Sequence, residues 1–304
     1  MAGLPPSDII SEDMRVIAVP SESKLRLLNA MEGLPSPYTQ LGPHCIASHN
    51  AVLSQLPPSL IADIRDFHSN SLAPGALLIT GLPLDPDLPL TPANGERSTE
   101  KSSLVSEGCL TGIAKLLGEP FSYASEKNGD PIHNVCPVRH RETVQSNESS
   151  KVTLGLHVEN AYFDKRPDYL ALFCLRQDHE NNARTSFVDA RSALSKMDSM
   201  DRAELQKPVF IVPSPQSHHE ATGGEKWSTP RPLFENLDDP KLMCHFPGMK
   251  ATTPKSQEAL DKFEETAQDI ATHITLQPGS ILLLNNQKVA HGRSHFEPRY
   301  DGLD

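Results

Sequence analysis

From residue 152 onward the chain is a series of short apolar runs, each closed by turn residues, and nothing else in it constrains the fold as much. VTLGLHVE (152–159), DYLALFCLR (168–176), TSFVDA (185–190), PVFIV (208–212), PLFEN (232–236), KLMCHF (241–246) and GSILLLNN (279–286) all have strand length. They do not alternate with helices in the manner of βαβ units, so a β-sandwich or jelly roll is expected. One helix interrupts the series. Thr253 is a suitable N-cap and Pro254 suits the first helical position, and Leu260, Phe263, Ala267, Ile270 and Ile274 then recur at spacings of three and four. Upstream, 59–69 and 103–117 read as helices and GALLITGLPL (75–84) as a buried strand. The expectation is a mostly β chain with flanking helices. It forms a single domain over 1–304, with an irregular N-terminal extension over 1–45 and the core over about 75–304.

Composition narrows the partners. A net charge of −11 repels phosphate backbones and anionic lipid, which argues against nucleic-acid or membrane partners. No apolar run approaches the ~20 residues that cross a bilayer. The first residues lack the basic flank and apolar stretch of a signal peptide, so a cytoplasmic location is expected. The 27 prolines imply much loop and strand edge. Cys45, Cys109, Cys136, Cys174 and Cys244 form no CxxC and read as reduced thiols. Oligomeric state leaves no trace in the sequence.

Of the 13 histidines, most have no metal-like spacing to a carboxylate on a recognisable strand. His157 and Glu159 differ. They lie two apart at the end of an apparent strand, and period-two alternation sends both side chains to one face. Far downstream, GSILLLNN leads to His291, followed by Gly292 and Arg293. Two histidines and one carboxylate make a facial triad that leaves three iron positions open, enough for a bidentate 2-oxo acid and dioxygen. The same ligands also suit a zinc hydrolase or a cupin-like isomerase, although the H-E-x-x-H helix of many zinc hydrolases is absent.

HVENAYFDKRPDYLALFCLR (157–176) together with HGRSHFEPRYDG (291–302) resembles the clavaminate synthase-like branch of the taurine dioxygenase superfamily, which includes asparagine oxygenase and arginine hydroxylases. The resemblance is strongest over 145–190 and 279–304. It implies a double-stranded β-helix (jelly-roll) core, with Fe(II), 2-oxoglutarate and O2 as reactants. It also implies hydroxylation of an unactivated C–H on a free or carrier-bound amino acid. Residue by residue, His157, Glu159 and His291 match the iron ligands. Thr185 matches a hydroxyl that binds 2-oxoglutarate. Glu126, Asn147 and Glu159 lie where relatives contact the substrate.

The resemblance also places a 2-oxoglutarate-binding arginine just beyond Asp304, so a C-terminally truncated chain is expected. Arg293 and Arg299 come too early in the register to replace it, and Arg293 is expected to pair with an acidic neighbour. The competing reading is therefore a truncated or pseudo-oxygenase that keeps the metal site and acts as a non-catalytic binding protein. The polar loop 213–231, with its Gly-Gly pair and Trp227, is a candidate lid.

Overall fold

In the computed structural model, which describes residues 12–124, 126–215, 224 and 226–304, the short apolar runs build two four-stranded sheets. The first has the order β1 (Met14–Ala18), β2 (Ala76–Thr80), β9 (Ser280–Asn285), β4 (Tyr169–Cys174). Only β1 and β2 run parallel. The second sheet is antiparallel, in the order β3 (Leu154–His157), β10 (Val289–Arg293), β5 (Thr185–Asp189), β8 (Thr272–Ile274). A small ribbon pairs β6 (Phe210–Ile211) with β7 (Lys250–Ala251).

Side-chain parity shows how the layers stack. On β9, Ile281 and Leu283 face a core shared with the helices α1 (Ser21–Ala30), α2 (Leu41–Gln55), α3 (Pro58–Ser69) and α4 (Val105–Ala114). Leu282 and Leu284 face the other way and meet Phe187 of β5 and Val289 of β10. The second sheet repeats the pattern: Leu156, Val188 and Ala290 point outward into a third core. That core is covered by α5 (Ala190–Ser195), α6 (Ser199–Leu205) and α7 (Pro254–Ile270). Because strand side chains alternate, His157, Thr185, Phe187, His291 and Arg293 belong to the face that looks toward the first sheet.

Several expectations need correcting. Residues 1–45 were expected to be irregular, yet Met14–Ala18 forms a strand beside β2, and two helices begin before residue 45. A five-residue run containing Arg15 is weak as a local signal, and its stability comes from the distant partner Ala76–Thr80. Within 232–246 there is no ladder; Phe234 and Leu242 meet only in an isolated bridge. Ile274 belongs to β8 rather than to the helical stripe, because α7 ends at Ile270 and Ala271 turns extended. The cap itself holds: Thr253 accepts from the Ser256 amide. All five cysteines are free. No helix among the described residues is long and apolar enough to cross a membrane. The candidate lid falls partly on 216–223 and 225, outside the described residues.

Glu204 ties α6 to α7. Its carboxylate accepts from Lys207 (2.7 Å) and the Ser256 hydroxyl (3.0 Å), and Lys255 lies 3.0 Å away. The two lysines and Ser256 hold its pKa down to about 2. A folded pKa below the unfolded value of ~4.3 gives stability that is present above the unfolded pKa and lost as pH falls toward the folded one. Glu204→Gln is expected to flatten the fall of melting temperature between about pH 4.5 and 2. Thermal melts across that range check it, and an unchanged slope contradicts it.

Candidate metal centre

His157 ends β3 and lies directly across from His291 in the middle of β10. His291 therefore does not trail the GSILLLNN strand; a turn separates it onto a strand of its own. The pairing slips between His291 and Arg293, and Gly292 permits it: a Cβ there would sit 2.4 Å from the Leu154 carbonyl oxygen. After Glu159 the chain turns away through Asn160 at φ +57, a conformation asparagine tolerates better than most residues.

One ligand atom from each of His157, Glu159 and His291 falls within 4.8 Å of the others. The two imidazole centroids are 4.5 Å apart, and His291 Nε2 is 3.8 Å from Glu159 Oε2. His157 Nδ1 lies 2.9 Å from the Gly155 carbonyl. A carbonyl only accepts, so Nδ1 carries the proton and Nε2 keeps its lone pair; a hydrogen bond of this kind fixes ligand histidines. Burial pushes the His157 pKa down, and burial together with His157 pushes that of His291 well down. Both imidazoles are thus neutral and able to donate lone pairs. Burial pushes the Glu159 carboxyl up, and His133 pulls it back only in part. The three groups fit a borderline divalent metal such as Fe(II).

Asn286, fully buried, fixes the backbone of Glu159 from β9's end. Its side-chain oxygen accepts from the Glu159 amide at 2.7 Å, and its Nδ2 donates to the carbonyls of Glu159 (3.1 Å) and Pro167 (2.9 Å). Sequence reasoning missed it, since a second asparagine after a strand carries no local signal of this role. Asn286→Ala strands the Glu159 amide and carbonyl and leaves the Pro167 carbonyl only the longer bond from Gln287 Nε2 (3.5 Å). We expect a loss of roughly 1–3 kcal/mol in stability and of ~10–100-fold in metal affinity. Urea unfolding and anaerobic Fe(II) titration check both, and parent-like values would exclude the role.

Thr185 pairs with Arg293 across β5 and β10. Both line a cavity of about 350 Å³, together with Asn147, Ser149, Arg176 and Phe296. The three candidate ligands are not among its lining residues. Glu126 lies elsewhere, close enough to Glu159 that burial and that carboxylate raise its pKa, whereas Asn147 stands exposed at the cavity. Arg293 does not take the acidic partner expected of it. Its guanidinium donates to the Ser294 carbonyl (2.8 Å) and the Ser149 hydroxyl (2.9 Å), and it sits 5.1 Å from the Phe296 ring centre. Arg299 pairs with Glu180. His179, read as ordinary, lies between Asp301 and Asp304 and joins the 179–180 loop to the PRYDG turn.

The chain matches the taurine catabolism dioxygenase TauD, TfdA family over residues 37–302. It is 32% identical to an L-asparagine oxygenase of Streptomyces coelicolor, over 82% of this chain and 74% of that protein. It is 30% identical to clavaminate synthase 2 of Streptomyces clavuligerus, over 83% of this chain and 78% of that one. A solved asparagine oxygenase in complex with Fe(II), 2S,3S-3-hydroxyasparagine and succinate superposes with a TM-score of 0.85 at 28% identity, covering 95% of this chain and 90% of that one.

Proposed function

Because this chain belongs to the taurine catabolism dioxygenase TauD, TfdA family, we propose that it hydroxylates an unactivated C–H of a free or carrier-bound amino acid, with His157, Glu159 and His291 holding the iron. It is a non-haem iron, 2-oxoglutarate-dependent dioxygenase. The observation that carries the reading is the convergence of two neutral imidazoles and one carboxylate on the face between the sheets. In this reading the two sheets are the halves of a jelly roll. Iron with 2-oxoglutarate and O2 supplies the oxidising power to break the C–H bond, releasing succinate and CO2.

The chain's own residues bind and orient. His157 and His291 present lone pairs, and the Gly155 carbonyl keeps the His157 proton on the far nitrogen. Glu159 supplies the negative charge, and Asn286 sets its backbone. The Thr185 hydroxyl donates to a carboxylate of 2-oxoglutarate. Glu126 takes the substrate's α-amino group, for which its place beside Glu159 gives the needed negative field, and Asn147 adds an amide. Fe(II)- and amino-acid-dependent succinate formation tests the reading. Intact Fe(II) binding with no turnover across the proteinogenic amino acids, free and carrier-bound, would reject the substrate class.

A further inference from the structure

Arg293 lies two residues past His291, and the ladder from β10 to β5 runs unbroken between them. Residues two apart on a strand share a face, so Arg293 looks toward the first sheet as His291 does, about 7 Å further along the strand. Its partner across the ladder is Thr185, as Phe187 is the partner of His291. Arg293 and Thr185 both line the cavity of about 350 Å³, and so does His133, whose charge reaches Glu159. The cavity therefore lies beside the metal ligands, although they do not line it. The guanidinium is held from one side. It donates to the hydroxyl of Ser149 (2.9 Å), a buried residue that donates in turn to the Ser146 carbonyl (2.8 Å), and to the Ser294 carbonyl (2.8 Å). Both acceptors are neutral. Among the described residues no carboxylate pairs with Arg293.

We infer that Arg293 is the cation that binds the carboxylate of 2-oxoglutarate remote from the metal, with Thr185 donating to the same group. This rests on the 2-oxoglutarate-dependent reading above and on the role it gives Thr185. A 2-oxo diacid that holds a metal with one end carries its second carboxylate away from it along the chain. Taken out of water, that anion needs a cation beside it, and a guanidinium meets a carboxylate with two parallel N–H bonds. Arg293 is in the converse condition: a half-buried cation with neutral partners only, and with N–H groups to spare. The two deficits cancel. The other basic side chains of the cavity are engaged elsewhere. Lys101 pairs with Asp85 and Glu107, Arg97 lies over the Tyr38 ring, and Arg176 donates to the Leu88 carbonyl (2.8 Å) and the Thr91 hydroxyl (3.2 Å). Counting residues from His291 makes Arg293 come too early; the ladder gives it a place instead, opposite Thr185.

The test compares 2-oxoglutarate with 2-oxopentanoate, which keeps the chain length and the metal-binding end but finishes in a methyl group. Dissociation constants are measured by anaerobic calorimetry on the Fe(II)-loaded parent, Arg293→Met, Arg293→Lys and Arg176→Met, with melting temperature and Fe(II) stoichiometry as controls. The parent is expected to prefer 2-oxoglutarate by at least about thirtyfold, the scale of one buried charge pair. Arg293→Met is expected to lose that preference by weakening 2-oxoglutarate alone. Arg293→Lys keeps the charge without the fork and is expected to fall between, while Arg176→Met keeps the parent's preference. A folded, iron-loaded Arg293→Met that retains the preference overturns the inference. Equal weakening of both acids overturns it too, since a residue that merely supports the fold around the metal would act on both. Loss of the preference in Arg176→Met in place of Arg293→Met does the same. If Arg293→Met does not fold, an unchanged preference in Arg293→Lys overturns the inference and a reduced one sustains it. A parent that binds both acids equally overturns the inference alone. A parent that binds neither rejects the cosubstrate itself, and the inference falls with it.

Discussion

His291→Ala is expected to abolish Fe(II) binding and reduce amino-acid-dependent succinate formation below about a hundredth of the parent rate. That exceeds the ~10–100-fold typical of partners that merely orient a ligand, which is how the substitution separates ligand from support. The remaining pair, one imidazole and one carboxylate, no longer forms a three-ligand face. The fold should survive. His291 is buried with its Nδ1 lacking a partner, so alanine removes an unsatisfied polar atom rather than creating one. Alanine also keeps the backbone pairing to Phe187 and His157 on either side. Anaerobic Fe(II) titration, turnover and a melting curve test the three parts together. A variant that melts like the parent and still turns over amino acid at a comparable rate would remove His291 from the centre.

The legible parts of this fold were those in which one strand or helix carries its own signal. The short apolar runs around LGLH and SILLLN, closed by turn residues, placed β3 and β9, and the Thr253–Pro254 start placed α7. H-x-E was readable because residues two apart along an extended stretch share a face, although Glu159 itself lies in the turn two residues past the end of β3. What depends on a distant partner was not readable. β1 exists because Met14–Ala18 lies along Ala76–Thr80. The runs at 232–236 and 241–246 are apolar because they cover Phe263 of α7 as part of the outer core, and not because they extend a sheet. Asn286 reaches Glu159, and His245 reaches His157, only when β9's end and the 241–246 segment close around them. For His245 a signal was present: its neighbours Cys244 and Phe246 are apolar, so alternation alone sets it on the opposite face.

The polar loop before α4 shows the same limit, and it holds the residue whose loss should destabilise the fold most. Lys101, which a sequence reading leaves in solvent, is only 10% exposed. Its ammonium lies 3.0 Å from Asp85, donates to the Ser106 hydroxyl at 2.9 Å and pairs closely with Glu107. Asp85 in turn accepts the Val105 amide (2.9 Å) and the Ser106 amide (3.3 Å), so it caps the start of α4. Burial raises the Asp85 pKa, but the Ser106 hydroxyl and Lys101 outweigh it and hold the carboxyl below its usual range. Lys101→Met leaves Asp85 and Glu107 buried without a cation, and breaking such a pair from one side costs about 3–5 kcal/mol. The pH dependence gives the mechanism away. In the parent, Asp85 stabilises the fold above its unfolded pKa of ~3.9 and this is lost as pH falls through the lower folded value. In the variant the Lys101 cation no longer lowers the carboxyl, so its pKa moves upward and acid costs the variant less than it costs the parent. The deficit between variant and parent should therefore be largest near pH 7 and shrink as pH falls toward about 4. Urea midpoints at both pH values measure it. A deficit that is constant with pH would mean that lost packing of the lysine stem, and not the stranded carboxylates, accounts for the destabilisation.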